Sequence, residues 1–121
     1  DREVVMAAVS QYGLALEYAD IALQSDREMV MAAVRQAGRA LQYADSTLDS
    51  ERDIVMAAVG QDGCALKYAD DALRSDRDMV LAAVRQNGVA LKYADDDALR
   101  SDRDIVMTAV TTNPVTFNFA S

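Results

Sequence analysis

Histidine and tryptophan are absent from the 121 residues, and cysteine and proline occur once each. Without histidine, zinc fingers of the Cys/His type and histidine-based catalytic triads are excluded. One cysteine cannot form a disulfide framework. Positive charge is also scarce: twelve basic residues stand against twenty acidic ones, a net charge of −8. A nucleic-acid binder needs a basic face to replace phosphate counterions, so this balance argues against one. It argues equally against docking on anionic lipid. No apolar run approaches the roughly 20 residues of a membrane helix, so no transmembrane segment is expected. A phosphate-binding glycine loop and a calcium loop are both missing. The chain is therefore expected to be no enzyme, with no catalytic residues, no cofactor and no metal.

What the chain does have is a repeat. Asp1-Arg2-Glu3-Val4-Val5-Met6-Ala7-Ala8-Val9 returns as Asp26-Arg27-Glu28-Met29-Val30-Met31-Ala32-Ala33-Val34, and again from Glu51, Asp76 and Asp102. The starts are spaced by 25, 25, 25 and 26 residues, the extra one lying in Asp95-Asp96-Asp97. Each unit reads as two helices. Serine N-caps are expected at Ser25, Ser50, Ser75 and Ser101, each with an acid three residues on. Gly13, Gly38, Gly63 and Gly88 are expected to end the first helix in the left-handed conformation, so that Gly63→Ala would cost about 1 kcal/mol or more. A shorter second helix follows, and Leu23, Leu48, Leu73 or Leu99 anchors the crossing to the next unit. The first helix is apolar over six consecutive positions, more than one face of a lone amphipathic helix. Stacked repeats supply neighbours on several sides. The expected fold is all-α: a short α-solenoid of two-helix repeats, four full and a fifth half, over residues 1–110, with an extended C-terminal tail over 111–121.

The iterated pattern D-R-[ED]-x-V-[ML]-A-A-V-x-Q-x-G-x-A-L-x-Y-A resembles the repeats of the domain of unknown function 4116 family, over residues 1 to about 110. The resemblance implies a helical interaction module and carries no catalytic residues with it.

Recurrent residues form several ladders. Arg2, Arg27, Arg52, Arg77 and Arg103 could grip phosphates or carboxylates. The simpler expectation is pairing with Asp20, Asp45, Asp70 and Asp95 at the ends of the second helices. Tyr18, Tyr43, Tyr68 and Tyr93 could stack bases, but basic surroundings are missing, so core packing is expected. Gln11, Gln36, Gln61 and Gln86 are expected to bond free carbonyls or each other across repeats. Asp70-Asp71 and Asp95-Asp96-Asp97 read as solvated turns. Cys64 lacks an activating histidine and reads as a small, semi-buried residue.

Specificity is expected at positions that vary between repeats. Arg35, Arg39, Lys67, Arg85 and Lys92 gather basic charge there, in an otherwise acidic chain. In the tail, Asn113-Pro114 stops the last helix, and Val115, Phe117 and Phe119 alternate with polar residues as an extended segment would. Together these eight residues are the candidate partner-binding set. The expected function is a noncatalytic protein–protein interaction scaffold or accessory subunit. The alternative is a structural protein that self-associates into head-to-tail filaments through open solenoid ends. The start at Asp1, without the serine that precedes later copies, suggests a processed piece or a segment of a longer array. The compartment stays open; a reducing compartment or an organelle interior would both suit a soluble chain with a single cysteine.

Overall fold

A computed structural model describes residues 2–112. In chain order its elements are α1 (Arg2–Gln11), the 3-10 helix η1 (Gly13–Tyr18), α2 (Ile21–Gln24), α3 (Arg27–Gln36), η2 (Gly38–Tyr43), α4 (Arg52–Gln61), η3 (Gly63–Tyr68), α5 (Asp71–Arg74), α6 (Arg77–Gln86), η4 (Gly88–Tyr93), α7 (Asp97–Arg100) and α8 (Arg103–Thr112). The long helices α1, α3, α4, α6 and α8 stack side by side, and η1 to η4 stack in the same order beside them. α3, α4 and α6 each pack against the 3-10 helix of the preceding repeat as well as their own. One-turn helices bridge most repeats, and a run of turns over 46–50 replaces the bridge in the second. The chain is an all-α repeat solenoid, as its period predicts.

The core lies between the two layers. In α3, Met29, Val30, Ala33 and Val34 are fully buried; Ile54, Val55, Ala58 and Val59 in α4 and Met79, Val80, Ala83 and Val84 in α6 repeat the pattern. The two intervening positions, such as Met31 and Ala32, are partly buried against the same core. Each full burial of a Met or Val side chain is worth about 1.5–3 kcal/mol. Leu48, Leu73 and Leu99 are buried at the crossings between repeats.

The glycines do not do what their position predicts. Among the described residues no glycine has positive φ. The long helix ends instead in an extended residue, Ala37, Asp62 or Asn87, with φ between −147° and −155°, and the glycine opens the 3-10 helix. It is needed for closeness. A Cβ on Gly13, Gly38 or Gly63 would stand 2.3 Å from the carbonyl oxygen of Ala33, Ala58 or Ala83 in the next repeat. The Gln expectation holds at Gln86, whose Nε2 donates to the Gln61 carbonyl of the preceding repeat at 3.3 Å, and a further partner joins it. The Oε1 of Gln36, Gln61 and Gln86 accepts from the N–H of Gly13, Gly38 and Gly63 at 2.5, 2.6 and 2.5 Å. A long-helix side chain thus satisfies the amide that the preceding 3-10 helix leaves open.

The serine caps are also corrected. Ser25, Ser75 and Ser101 end the one-turn helices α2, α5 and α7. The long helices are capped by the next residue. Asp26 accepts from Met29 N–H at 3.2 Å, Asp76 from Met79 N–H at 3.0 Å, and Asp102 from Ile105 N–H at 3.2 Å. Glu51, one methylene longer, makes no such bond. A carboxylate is favoured over a hydroxyl because its second oxygen also reaches the preceding repeat. Arg2 Nε lies 2.8 Å from Asp26 Oδ2, Arg27 Nε 2.9 Å from Glu51 Oε1, Arg52 Nη1 2.6 Å from Asp76 Oδ2, and Arg77 Nε 2.9 Å from Asp102 Oδ2. Arg2, Arg27, Arg52 and Arg77 therefore do pair with acids, but with the acid at the N-cap position of the following repeat and not with Asp20, Asp45, Asp70 or Asp95. Asp20 and Asp70 cap α2 and α5, Asp45 holds the Thr47 amide and hydroxyl, and Asp95 meets Arg74 at 3.2 Å. In the acidic runs, Asp71 pairs with Arg74, Asp96 caps α7, and Asp97 pairs with Arg100.

The bridging segments add a third line of register. The amides of Asp45, Asp70 and Asp95 donate to the carbonyls of Gln24, Asp49 and Arg74 in the preceding bridge, at 3.0, 3.0 and 3.1 Å. At the far end, α8 runs through Thr112, two residues past the expected domain boundary at 110. Thr108, Thr111 and Thr112 each donate a hydroxyl back to the carbonyl four residues earlier, at 2.8 Å. Such back-bonding keeps these polar side chains inside helical structure.

Candidate interaction surface

The geometry of a 3-10 helix decides which side chains reach solvent. With three residues per turn, positions i and i+3 eclipse. Gly38 and Leu41 therefore share the inward edge, with Ala40 beside them, and all three are buried; Gly63, Ala65 and Leu66, and Gly88, Ala90 and Leu91, follow suit. The residue after the glycine and the one three further on share an outward edge. In the four repeats these pairs are Leu14 and Glu17, Arg39 and Gln42, Cys64 and Lys67, and Val89 and Lys92. Glu17, Gln42, Lys67 and Lys92 are all exposed. Because η1 to η4 stack in order, this edge runs as one ladder across the repeats.

Three of the expected basic residues meet on it. Lys67 Nζ stands 5.0 Å from the ring centre of Tyr68 and 5.8 Å from that of Tyr93, bridging two rungs, and Lys92 Nζ stands 5.2 Å from the Tyr93 ring. Arg39 pairs with Asp62 at 2.7 Å, and Gln42 donates to the Arg39 carbonyl at 3.0 Å. Arg35 and Arg85 are not part of this group. They sit exposed in the last turns of α3 and α6, and Gly60 occupies the matching place in the repeat between them. Val115, Phe117 and Phe119 lie outside the described residues.

Core packing is expected of the tyrosines, and Tyr43, Tyr68 and Tyr93 do pack, half-buried, against the core. Tyr18 does not, at 83% exposed. At three residues per turn Tyr43, Tyr68 and Tyr93 fall in line with the buried alanines three residues earlier, Ala40, Ala65 and Ala90. Glu17 adjoins Tyr43 and, after burial, helps to raise its hydroxyl pKa. The hydroxyl thus has the polar neighbour expected of it. Cys64 is nearly buried, as expected. Its Sγ lies 3.6 Å from Asn87 Nδ2, and burial, followed by nearby Asp62, pushes the thiol pKa up. That environment disfavours the reactive thiolate.

Among the described residues no helix is long and apolar enough to cross a membrane. A family model described as "Domain of unknown function (DUF4116)" matches residues 1–49 and 51–97. No curated protein and no solved structure matches the chain.

Proposed function

The chain belongs to the DUF4116 family, whose function is unknown, and from that premise we propose that it is a noncatalytic protein–protein interaction scaffold or accessory subunit, working through the outward edge of its 3-10 layer. One observation carries this reading. Within each 3-10 helix the inward glycine and leucine are buried and constant between repeats, whereas the outward pair changes from rung to rung and always ends in an exposed polar residue: Glu17, Gln42, Lys67 or Lys92. A stack that repeats its core and varies one continuous edge is built to present that edge. Aromatic side chains beside flexible polar ones suit protein partners, since aromatics dominate interface energies. The test is a photo-crosslinking residue placed at Gln42, on the edge, and separately at Asp71, on a bridge. Discrete partner adducts from position 42 alone are expected. Equal labelling from both positions, or none from position 42, would count against the reading.

Head-to-tail self-assembly is the alternative, and one observation favours it. Val4 is 66% exposed, whereas Met29, Ile54, Met79 and Ile105 at the same repeat position are fully buried against a preceding helix. A second copy stacked on α1 would cover it. Particle size that grows without limit as concentration rises, and that Val4→Asp abolishes, is the expected signature.

A further inference from the structure

The outward edge has a direction. Its exposed position reads Glu17, Gln42, Lys67, Lys92 from first rung to fourth, so charge passes from negative through neutral to positive. The apolar side chains are also uneven. Tyr12 and Tyr18 on the first rung are 60% and 83% exposed, while Tyr68 and Tyr93 are half-buried beneath lysines. We propose that this edge is a two-fold interface, in which a second copy of the chain lies antiparallel along the ladder. The inference rests on reading the edge as an interaction surface, and names its occupant.

A two-fold axis through the middle of four rungs sets the first against the fourth and the second against the third. Glu17 then faces Lys92 of the second copy, and Gln42 faces Lys67. Symmetry makes each of these pairings twice, as in any isologous contact. A parallel alignment would instead put Lys67 on Lys67 and Glu17 on Glu17. The exposed tyrosines of the first rung meet Val89, Tyr93 and the aliphatic stem of Lys92, which offer apolar cover. In this division of labour the charges select register and orientation, and the aromatic surface supplies the affinity. The rest of the chain is strongly acidic, at −8 overall, so two copies repel elsewhere. The last two rungs of the ladder, with Lys67 and Lys92, are where an acidic second copy finds attraction.

Sedimentation equilibrium of the whole chain, from micromolar to millimolar concentration at 0.15 M salt, tests this. A single monomer–dimer equilibrium that closes at the dimer is expected. Lys92→Glu places like charges at both ends of the interface and should weaken the dimer by about tenfold or more. Glu17→Lys should do the same, and the double exchange should restore the native constant. Both sites are exposed, so thermal melts of the variants should match the native chain and separate folding from pairing. A chain that stays monomeric throughout overturns the proposal, as an edge reserved for another protein would require; crosslinking from position 42 would still test the scaffold reading by itself. Growth beyond the dimer also overturns it, as does a dimer indifferent to the single exchanges.

Discussion

The long helices meet one another through recurring ion pairs, whereas each 3-10 helix meets the next long helix through the backbone of its glycine. Between α1 and α3, Arg2 reaches across to Asp26; between η1 and α3, the Gly13 backbone lies against the Ala33 carbonyl and the Gln36 side chain. The first arrangement spends polar side chains on register, and they recur at every step. The second leaves the outer side chains of the 3-10 layer free to differ. Constancy on one layer and variety on the other follow from which atoms make the inter-repeat contact.

The largest effect is expected where the backbones meet. Gly63→Ala should cost about 3 kcal/mol, since its Cβ would press on a backbone carbonyl that has no room to move. A left-handed cap would make the same substitution cost about 1 kcal/mol or more, for a different reason. Gly60→Ala is the contrast. Nothing lies within 4 Å of its added Cβ, so it should stabilise α4 by about 0.5–1 kcal/mol. Urea melts of the two variants read both values; a tolerated alanine at position 63 would remove the close-approach account.

Next comes the amide that the 3-10 layer leaves open. Gln61→Leu strands the part-buried Gly38 N–H and should cost about 1–3 kcal/mol. Gln11→Leu changes the same repeat position in α1, where no preceding 3-10 helix is described, and should be nearly neutral. Faster hydrogen exchange at the Gly38 amide in the first variant alone is the expected signature.

The side-chain layer should respond less and with pH. Asp76→Ala removes a cap and an ion pair together and should cost about 1 kcal/mol; Glu51→Asp should gain a similar amount by adding the missing cap. The carboxyls of Asp26, Asp76 and Asp102 are held below the usual range, first by hydrogen bonds to Arg2, Arg52 and Arg77 and also by the capped amides. A folded pKa below the unfolded one means that their stabilisation is fully present above the ordinary value of about 4. It is lost as pH falls through the depressed values. Melting temperature should therefore fall on acidification below about pH 4, and less steeply in Asp76→Asn.

The smallest effect belongs to the irregular bridge. Asp49 is pushed the other way, by burial first and then by Asp70 and Asp45. Its charge weakens the fold above its raised pKa, and that penalty disappears as pH falls through it. In the next repeat the same position is Arg74, which meets Asp95. Asp49→Arg should pair with Asp70 and gain up to about 1 kcal/mol at neutral pH. No gain in a thermal melt at pH 7 would show that the turns over 46–50 hold Asp49 away from its expected partner.

Sequence alone determined the period, the long helices, the buried leucines at the crossings and the positions free to vary. Each depends on local spacing and apolarity, which a single chain displays openly. Tertiary structure decided everything that passes between repeats. It moved the cap from Ser25 to Asp26, because only a carboxylate can cap its helix and meet Arg2 at once. It gave Gly13 its purpose, because a missing Cβ matters only when another backbone arrives beside it. It wound the second helix at three residues per turn, which sets Tyr43, Tyr68 and Tyr93 in line with buried alanines and half-buried against the core. These choices depend on atoms about 25 residues away, and a repeat read singly contains no trace of its neighbour's distance.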